Sequence, residues 1–290
     1  MDPTKRTVLI TGCSSGGIGA ALAIEYHQRG YHVFATTRNT KKIPTSLTSL
    51  PSVTALALDV TSPQSIEAAV KEVSEITGGR LDVLVNNSGA ALTAPALDTD
   101  VEQARGVFEV NVLGVLAVTK AFTPLLVRAK DACIVNNSSI NGETNLPFSA
   151  IYGASKAATT ALSETLRLEV APLGIRVVTV ITGIIETNLH DNEPEHPLPS
   201  GSYYKPVESW LQDRISGKNR PPGMPVEEFA KQLVRKCEGG AKGKVYVGPL
   251  TPLFVYLKWW MPSFVWDYFM LQSGPKNFGE VALAVKRKQQ

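Results

Sequence analysis

Seven short apolar runs recur along the chain: TVLITG (7–12), HVFATTR (32–38), VTALALDV (53–60), LDVLVNNSG (81–89), CIVNNSS (133–139), IRVVTVITG (175–183) and KVYVG (244–248). Within each, the apolar residues are continuous rather than alternating with polar ones. That is the pattern of strands covered on both faces. Helical stretches lie between them, at 19–29, 63–77, 100–128, 152–171 and 226–237. Ser62 and Pro63 mark one helix start, the serine as N-cap and the proline at the first helical position. Strand and helix in alternation predict an α/β fold, a doubly wound Rossmann-type sheet of mostly seven parallel strands with helices on both faces. Such sheets bind ligands beyond the carboxyl ends of their strands. The polar motifs of this chain fall at those ends.

Two regions break the rhythm. Residues 186–223 are polar and rich in Pro and Gly, and read as a substrate loop or lid. Residues 249–271 hold three of the four tryptophans, Trp259, Trp260 and Trp266, with Phe254, Tyr256, Phe264, Tyr268 and Phe269. The expected organisation is a catalytic domain over 1–248 and an aromatic extension over 249–290 that ends in the basic tail VKRKQQ. Lys258, Asp267 and the prolines Pro249, Pro252 and Pro262 argue against a clean membrane span. An interfacial anchor, a lid over the substrate cleft and an oligomer contact stay open as alternatives.

Composition narrows the partners. With 290 residues, 43% of them hydrophobic, the chain can build one large core. A net charge of +3 with no basic stripe outside the tail argues against nucleic acid. Cys13, Cys133 and Cys237 share no metal or redox spacing, so no metal is expected, and their sparing use suits a reducing compartment. The opening MDPTKRTVLITG has no signal-type apolar stretch, and its first apolar run leads into a glycine turn. A cytoplasmic location is the expectation.

That glycine turn is the first candidate site. TGCSSGGIG passes from strand to helix, and its backbone N–H groups and the helix dipole suit a phosphate. Gly12, Gly17 and Gly19 take the close turns, and Ser14 and Ser15 offer hydroxyls. An ordinary tight turn is the plain alternative. The next strand ends in ATTRN, with no acid for a ribose hydroxyl and Arg38 in its place. An arginine there suits the 2′-phosphate of NADP(H), although a solvated turn residue has the same look.

The second candidate is SSINGETNLPFSAIYGASK. Tyr152 and Lys156, four apart, share a helix face, and Ser139 ends the strand before them. A free tyrosine has a pKa of about 10, and a neighbouring ammonium lowers it, making the phenol a usable acid or base. A serine beside it holds a substrate oxygen. YxxxK alone is also a common amphipathic helix face.

Together these motifs, in this order over residues 5–250, resemble the short-chain dehydrogenase/reductase family. TGCSSGGIG is similar to its TGxxxGxG with one residue more, and NNSG (86–89) to its NNAG. The resemblance implies a hydride exchange between NADP(H) and a ketone or alcohol, with Ser139, Tyr152, Lys156 and Asn111 as the catalytic set. Asn111 would bind a water linking the lysine to solvent. Cofactor contacts are implied at Gly12, Ser14, Ser15, Gly17, Ile18, Gly19, Arg38, Asp59, Val60, Asn87, Gly89, Tyr152, Lys156, Ile185 and Thr187. The family's Pro-Gly after the sixth strand is Thr182-Gly183 here. The chain looks most like the acyl-dihydroxyacetone-phosphate reductase group. That likeness implies an apolar, lipid-like ketone, a peripheral place on endoplasmic reticulum or lipid droplets through 249–271, and a homodimer or homotetramer. Lys205, Arg214, Lys218 and Arg220 are candidates for a substrate phosphate, with a solvated loop charge as the plainer reading of each. Polyketide- or steroid-like ketones are the alternative substrates. A nucleotide-binding scaffold without turnover is the alternative of another class, opposed by the intact serine, tyrosine and lysine.

Overall fold

The computed structural model describes residues 5–188, 197–249 and 251–288. Part of the insertion at 186–223 and the last two residues of the basic tail lie outside the described residues. The strands are β1 (Thr7–Thr11), β2 (His32–Thr37), β3 (Val53–Ala57), β4 (Val83–Asn86), β5 (Ala132–Asn137), β6 (Ile175–Thr182) and β7 (Gly243–Val247). They form one parallel sheet in the order β3-β2-β1-β4-β5-β6-β7. The chain order reverses between β1 and β4, so a crevice opens at their carboxyl ends.

The continuous apolar runs are explained by two cores. Successive strand residues point to opposite faces. Val8 and Ile10 of β1 enter one core with Phe229 and Leu233, whereas Leu9 enters the other with Phe122 and Ile134. The first face is covered by α1 (Ile18–Gln28), the short α2 (Thr45–Thr48) and, later in the chain, α8 (Val226–Glu238). The second is covered by α3 (Pro63–Thr77), α5 (Gly114–Leu126) and α6 (Ala150–Glu169), with α4 (Val101–Phe108) packed on α6. Ser62 caps α3 as expected, its hydroxyl accepting from the Ser65 amide at 3.2 Å.

Three elements depart from the expectation. The helix read over 100–128 is α4 and α5 joined by a π-helical turn, Glu109–Leu113, which contains Asn111. It is a core helix with Val118, Phe122 and Leu126 fully buried, although by length and hydropathy it is also the one described helix able to cross a membrane. The insertion contains α7 (Glu208–Ile215). The aromatic extension is helical, with α9 (Thr251–Trp260), α10 (Ser263–Gln272) and α11 (Phe278–Lys288). Val255, Trp266 and Met270 face inward, while Trp259 and Trp260 are 82% and 87% exposed. α9 and α10 are ten residues each, about 15 Å, half a bilayer core. Neither is a span.

Candidate active site

The glycine loop is shaped by close approaches. Gly12 has φ +76°, and a Cβ there would lie 3.0 Å from the Ser88 Cα. A Cβ on Gly19 would sit 2.3 Å from the Gly12 carbonyl oxygen, so only glycine lets the first turn of α1 close on the end of β1. The first amides of a helix have no intrahelical partner, and here they face the crevice end with no acid in the first turn of α1. The extra residue falls in the bend Cys13–Gly16. The Cys13 amide donates to Thr36 O at 2.8 Å and the Ser15 amide to Lys42 O at 2.9 Å. The bend is thereby stitched to the end of β2, where Arg38 is exposed and Lys41 and Lys42 sit in the following 3-10 turn. A carboxylate-free strand end with three cations fits a cofactor with an additional phosphate. The two lysines were not among the expected contacts. The signal for them was the run RNTKK.

Paired asparagines floor the crevice. Asn86 ends β4 and Asn87 follows it, while Asn136 and Asn137 end β5, with Asn86 in register with Asn136. On one face the Asn86 amide donates to Asn136 Oδ1 at 2.8 Å and to Thr119 at 3.0 Å, and Asn136 donates to Ser163 at 2.8 Å. On the other, Asn137 donates to Asn87 Oδ1 at 2.9 Å, Asn87 donates to Thr11 O at 2.9 Å, and Thr182 donates to Asn137 Oδ1 at 2.5 Å. Thr182, the departure from the family's proline, thus completes a polar chain crossing four strands.

Ser139, Tyr152 and Lys156 converge on the end of β5. The 3-10 turn after Ser139 is pressed against α6: a Cβ on Gly142 would meet the Ala157 amide nitrogen at 2.7 Å, and one on Gly153 would meet Asn141 O at 2.8 Å. Ser138 also pins α6, donating to Lys156 O at 2.9 Å. The Ser139 hydroxyl oxygen accepts from the Asn141 amide at 3.1 Å, which leaves its O–H to be donated. Lys156 is buried, its Nζ 5.8 Å from the Tyr152 ring centre and donating to Asn137 O at 2.8 Å. Burial pushes the lysine down to about 8.

Asn111 is fully buried and its side chain is committed. Oδ1 accepts from the Ala90 amide at 2.8 Å, while Nδ2 donates to Ala90 O and to Ser155, both at 2.9 Å. Its carbonyl accepts from Thr159 at 2.7 Å. It therefore locks the exit of β4 onto α6. Gly89 lies between, where a Cβ would stand 3.4 Å from Asn111 Oδ1 and 3.7 Å from Lys156 Nζ.

The other expected contacts rim the crevice. Asp59 is half-buried and accepts from the Thr61 amide and hydroxyl at 3.0 and 2.8 Å. Val60 is buried against Gly114. Ile18 packs on the α1 core beside Ile185, which bridges to Met224. Thr187 precedes Asn188, whose amide covers Gly16. Of the four insertion cations, Lys205 pairs with Glu208 at 2.9 Å and Lys218 with Asp213 at 3.2 Å. Arg214 donates to Asn219 O at 3.2 Å and Arg220 to Arg214 O at 3.1 Å. All four hold the insertion together.

A seven-stranded parallel sheet with a glycine-turn cradle, a cationic second strand end and a serine, tyrosine and lysine at the fifth defines a dinucleotide-dependent oxidoreductase. The family model for short chain dehydrogenase matches residues 6–197. The chain is 42% identical over 263 residues to the short-chain dehydrogenase ptmH of Penicillium ochrochloron, covering 91% of this chain and 96% of that one. It is 37% identical over 277 residues to the NADPH-dependent 1-acyldihydroxyacetone phosphate reductase of Schizosaccharomyces pombe, covering 93% and 88%. A short chain dehydrogenase from Burkholderia cenocepacia, solved in complex with NADP, superposes with a TM-score of 0.70 at 28% identity, covering 89% and 94%. The protein belongs to the short-chain dehydrogenase family and is an NADP(H)-dependent oxidoreductase.

Proposed function

We propose that the protein reduces the carbonyl of an apolar, lipid-like ketone to a secondary alcohol, with Tyr152 as the proton donor. The observation that carries this is the position of Lys156 Nζ, 5.8 Å from the Tyr152 ring centre and hydrogen-bonded to Asn137 O at 2.8 Å. NADPH, when bound, supplies the hydride that the carbonyl carbon accepts. Ser139 donates its O–H to the carbonyl oxygen and fixes its orientation. Tyr152 gives that oxygen its phenolic proton, completing the alcohol. The Lys156 ammonium stabilises the tyrosinate left behind, and its remaining N–H groups are available to ribose hydroxyls. The cradle residues Gly12, Gly17 and Gly19 bind the phosphates, Arg38 with Lys41 takes the 2′-phosphate, and Thr187 closes over them. Asn111 keeps Ser155 and α6 in place, and with them the lysine. Run backwards, the same groups oxidise an alcohol.

The name of the fission-yeast relative supports a lipid ketone. Lys205 and Lys218 are paired with carboxylates, and Arg214 and Arg220 already donate to carbonyls within the insertion, which favours a substrate without a phosphate group, of the polyketide or steroid type. In this reading the outward aromatics of α9 and α10 rest on a lipid surface facing the cytoplasm. Residues 249–290 carry five basic and two acidic residues, so the whole net charge of +3 resides there and residues 1–248 are neutral. That suits an anionic membrane. The exposed Leu113, Leu116 and Leu168 on the outer faces of the α5 and α6 region meet those of a second copy.

The test is NADPH consumption with a panel of ketones: a 1-acyldihydroxyacetone phosphate, a steroid ketone and an aromatic polyketide ketone. Wild type turns over at least one, and Tyr152→Phe loses at least a hundredfold in kcat while binding NADPH. Cofactor binding without turnover of any ketone would instead favour the scaffold reading.

A further inference from the structure

The extension touches the reaction loops at three points. Thr251, buried at the start of α9, packs into the space left by Gly183, where a Cβ would stand 2.1 Å from the Thr251 hydroxyl oxygen. Lys258 of α9 donates its ammonium to the carbonyl of Glu143, whose carboxylate pairs with Lys244 at 2.6 Å. Phe278, at the start of α11, stacks on Phe148 with ring centres 5.5 Å apart and planes at 21°. Glu143 and Phe148 both lie on one loop. That loop begins at Ser139 and delivers Tyr152.

Phe148 is the informative member. Its φ is +64°, a left-handed conformation that strains a bulky residue and persists only where the surroundings enforce it. The surroundings are aromatic: besides Phe278, Trp210 and Tyr204 of the insertion stand 5.7 and 5.8 Å away. The Phe148 carbonyl in turn accepts from the Ala94 amide at 2.9 Å, tying the loop to the exit of β4. Asn277 donates to Pro206 O at 2.9 Å and holds α11 against the insertion. The strained residue is thus clamped from outside the catalytic sheet, four positions before Tyr152.

We infer that α9–α11 brace the loop between Ser139 and Tyr152, and that Phe278 and Lys258 are positioning residues for the reaction, acting through Phe148 and Glu143. The inference rests on the proposed roles of Ser139 and Tyr152. The extension sets where those two groups stand relative to each other, while the glycine loop and Arg38 lie beyond the other side of the crevice and are untouched.

The experiment compares wild type, Phe278→Ala, Phe278→Tyr and Lys258→Met by hydrogen–deuterium exchange, NADPH titration by fluorescence, and steady-state kinetics with the best ketone of the panel. Phe278→Ala and Lys258→Met are expected to speed exchange across 140–149 at least fivefold, leave exchange across 12–19 unchanged, and keep the NADPH Kd within twofold. kcat falls tenfold or more, and Phe278→Tyr, which keeps the stacked ring, restores it. Phe148→Gly accepts the backbone conformation but has no ring. It should lose kcat as Phe278→Ala does, and the double variant should lose no more than either single one. Unchanged exchange at 140–149 in both Phe278→Ala and Lys258→Met overturns the brace. So does additive loss in the double variant, or equal loss of NADPH affinity and kcat. A Tyr152→Phe variant that keeps full activity overturns the proposed function instead. An inactive Tyr152→Phe beside a fully active Phe278→Ala overturns the brace alone.

Discussion

Gly142 stands so close to Ala157 that a Cβ on the glycine would meet the alanine amide nitrogen at 2.7 Å. The obstacle is backbone of α6, which does not yield as a flexible side chain would. Gly142→Ala therefore pushes the turn after Ser139 away from the helix that carries Tyr152. The expected outcome is a loss of about 1–3 kcal/mol in stability, as for other overpacked sites, with kcat down at least tenfold and NADPH affinity within twofold. Thermal melts beside kinetics check it, and a variant that melts lower but keeps its kcat would separate packing from catalysis here.

Arg38 is exposed at the end of β2, with Lys41 and Lys42 three and four residues on. Hydrogen bonds to charged groups contribute about 1.5–3 kcal/mol, so Arg38→Ala should weaken NADPH roughly 10- to 100-fold and leave NADH nearly unchanged. Fluorescence titration of both cofactors reads this directly. Equal losses for the two would remove Arg38 from the 2′-phosphate and leave the lysines as its partners.

Lys156 is held near 8 in the fold, against an ordinary value of 10.5, because burial disfavours its charge. The unfolded chain therefore binds more protons between about pH 8 and 10.5, and this group's contribution to stability grows as pH rises through that window. Below it, keeping the buried ammonium costs on the order of 3 kcal/mol. Lys156→Met is expected to be inactive yet to melt higher than wild type near neutral pH, less a penalty of about 1–2 kcal/mol for the undonated Asn137 carbonyl. The advantage should shrink by about pH 10. Melting curves across that range test it, and a Lys156→Met protein that melts lower at every pH contradicts the burial cost.

The outward aromatics of the extension make a membrane prediction. Vesicles of phosphatidylcholine with phosphatidylserine should sediment the protein, and pure phosphatidylcholine should do so roughly a hundredfold more weakly, given ~1 kcal/mol for each unit of the extension's net charge of +3 at an anionic surface. Trp259→Ala with Trp260→Ala should release it from both. A full-length chain that ignores both vesicle types refutes the lipid contact and leaves the aromatic face to another surface of this protein.

The strands, five of the helices and the serine, tyrosine and lysine were legible because each is a local pattern. A continuous apolar run specifies a doubly covered strand wherever it sits, and Tyr152 and Lys156 need only one helix between them. What was hidden depends on residues far apart in the chain. Asn87 and Asn137 meet across fifty positions, and Lys258 meets Glu143 across 115. The π-helical turn at Asn111 shifts the helix register locally and leaves no mark on its apolar pattern. The helices of the extension were obscured by the prolines between and within them. Of these, Pro262 directly precedes α10 rather than breaking it. The single residue too many in the glycine turn was visible, but its use, the stitching of Ser15 to Lys42, needed the fold.

The asparagine rungs at the ends of β4 and β5 have a mechanical consequence. Strand ends ordinarily fray first, because their last backbone hydrogen bonds have water as a ready competitor. Here side-chain amides cross-tie the carboxyl ends on both faces, from Thr11 to Thr182 on one and from Thr119 to Ser163 on the other. The edge where a ligand arrives is accordingly the stiff edge of the sheet, and its amides should be among the slowest in the protein to exchange with solvent.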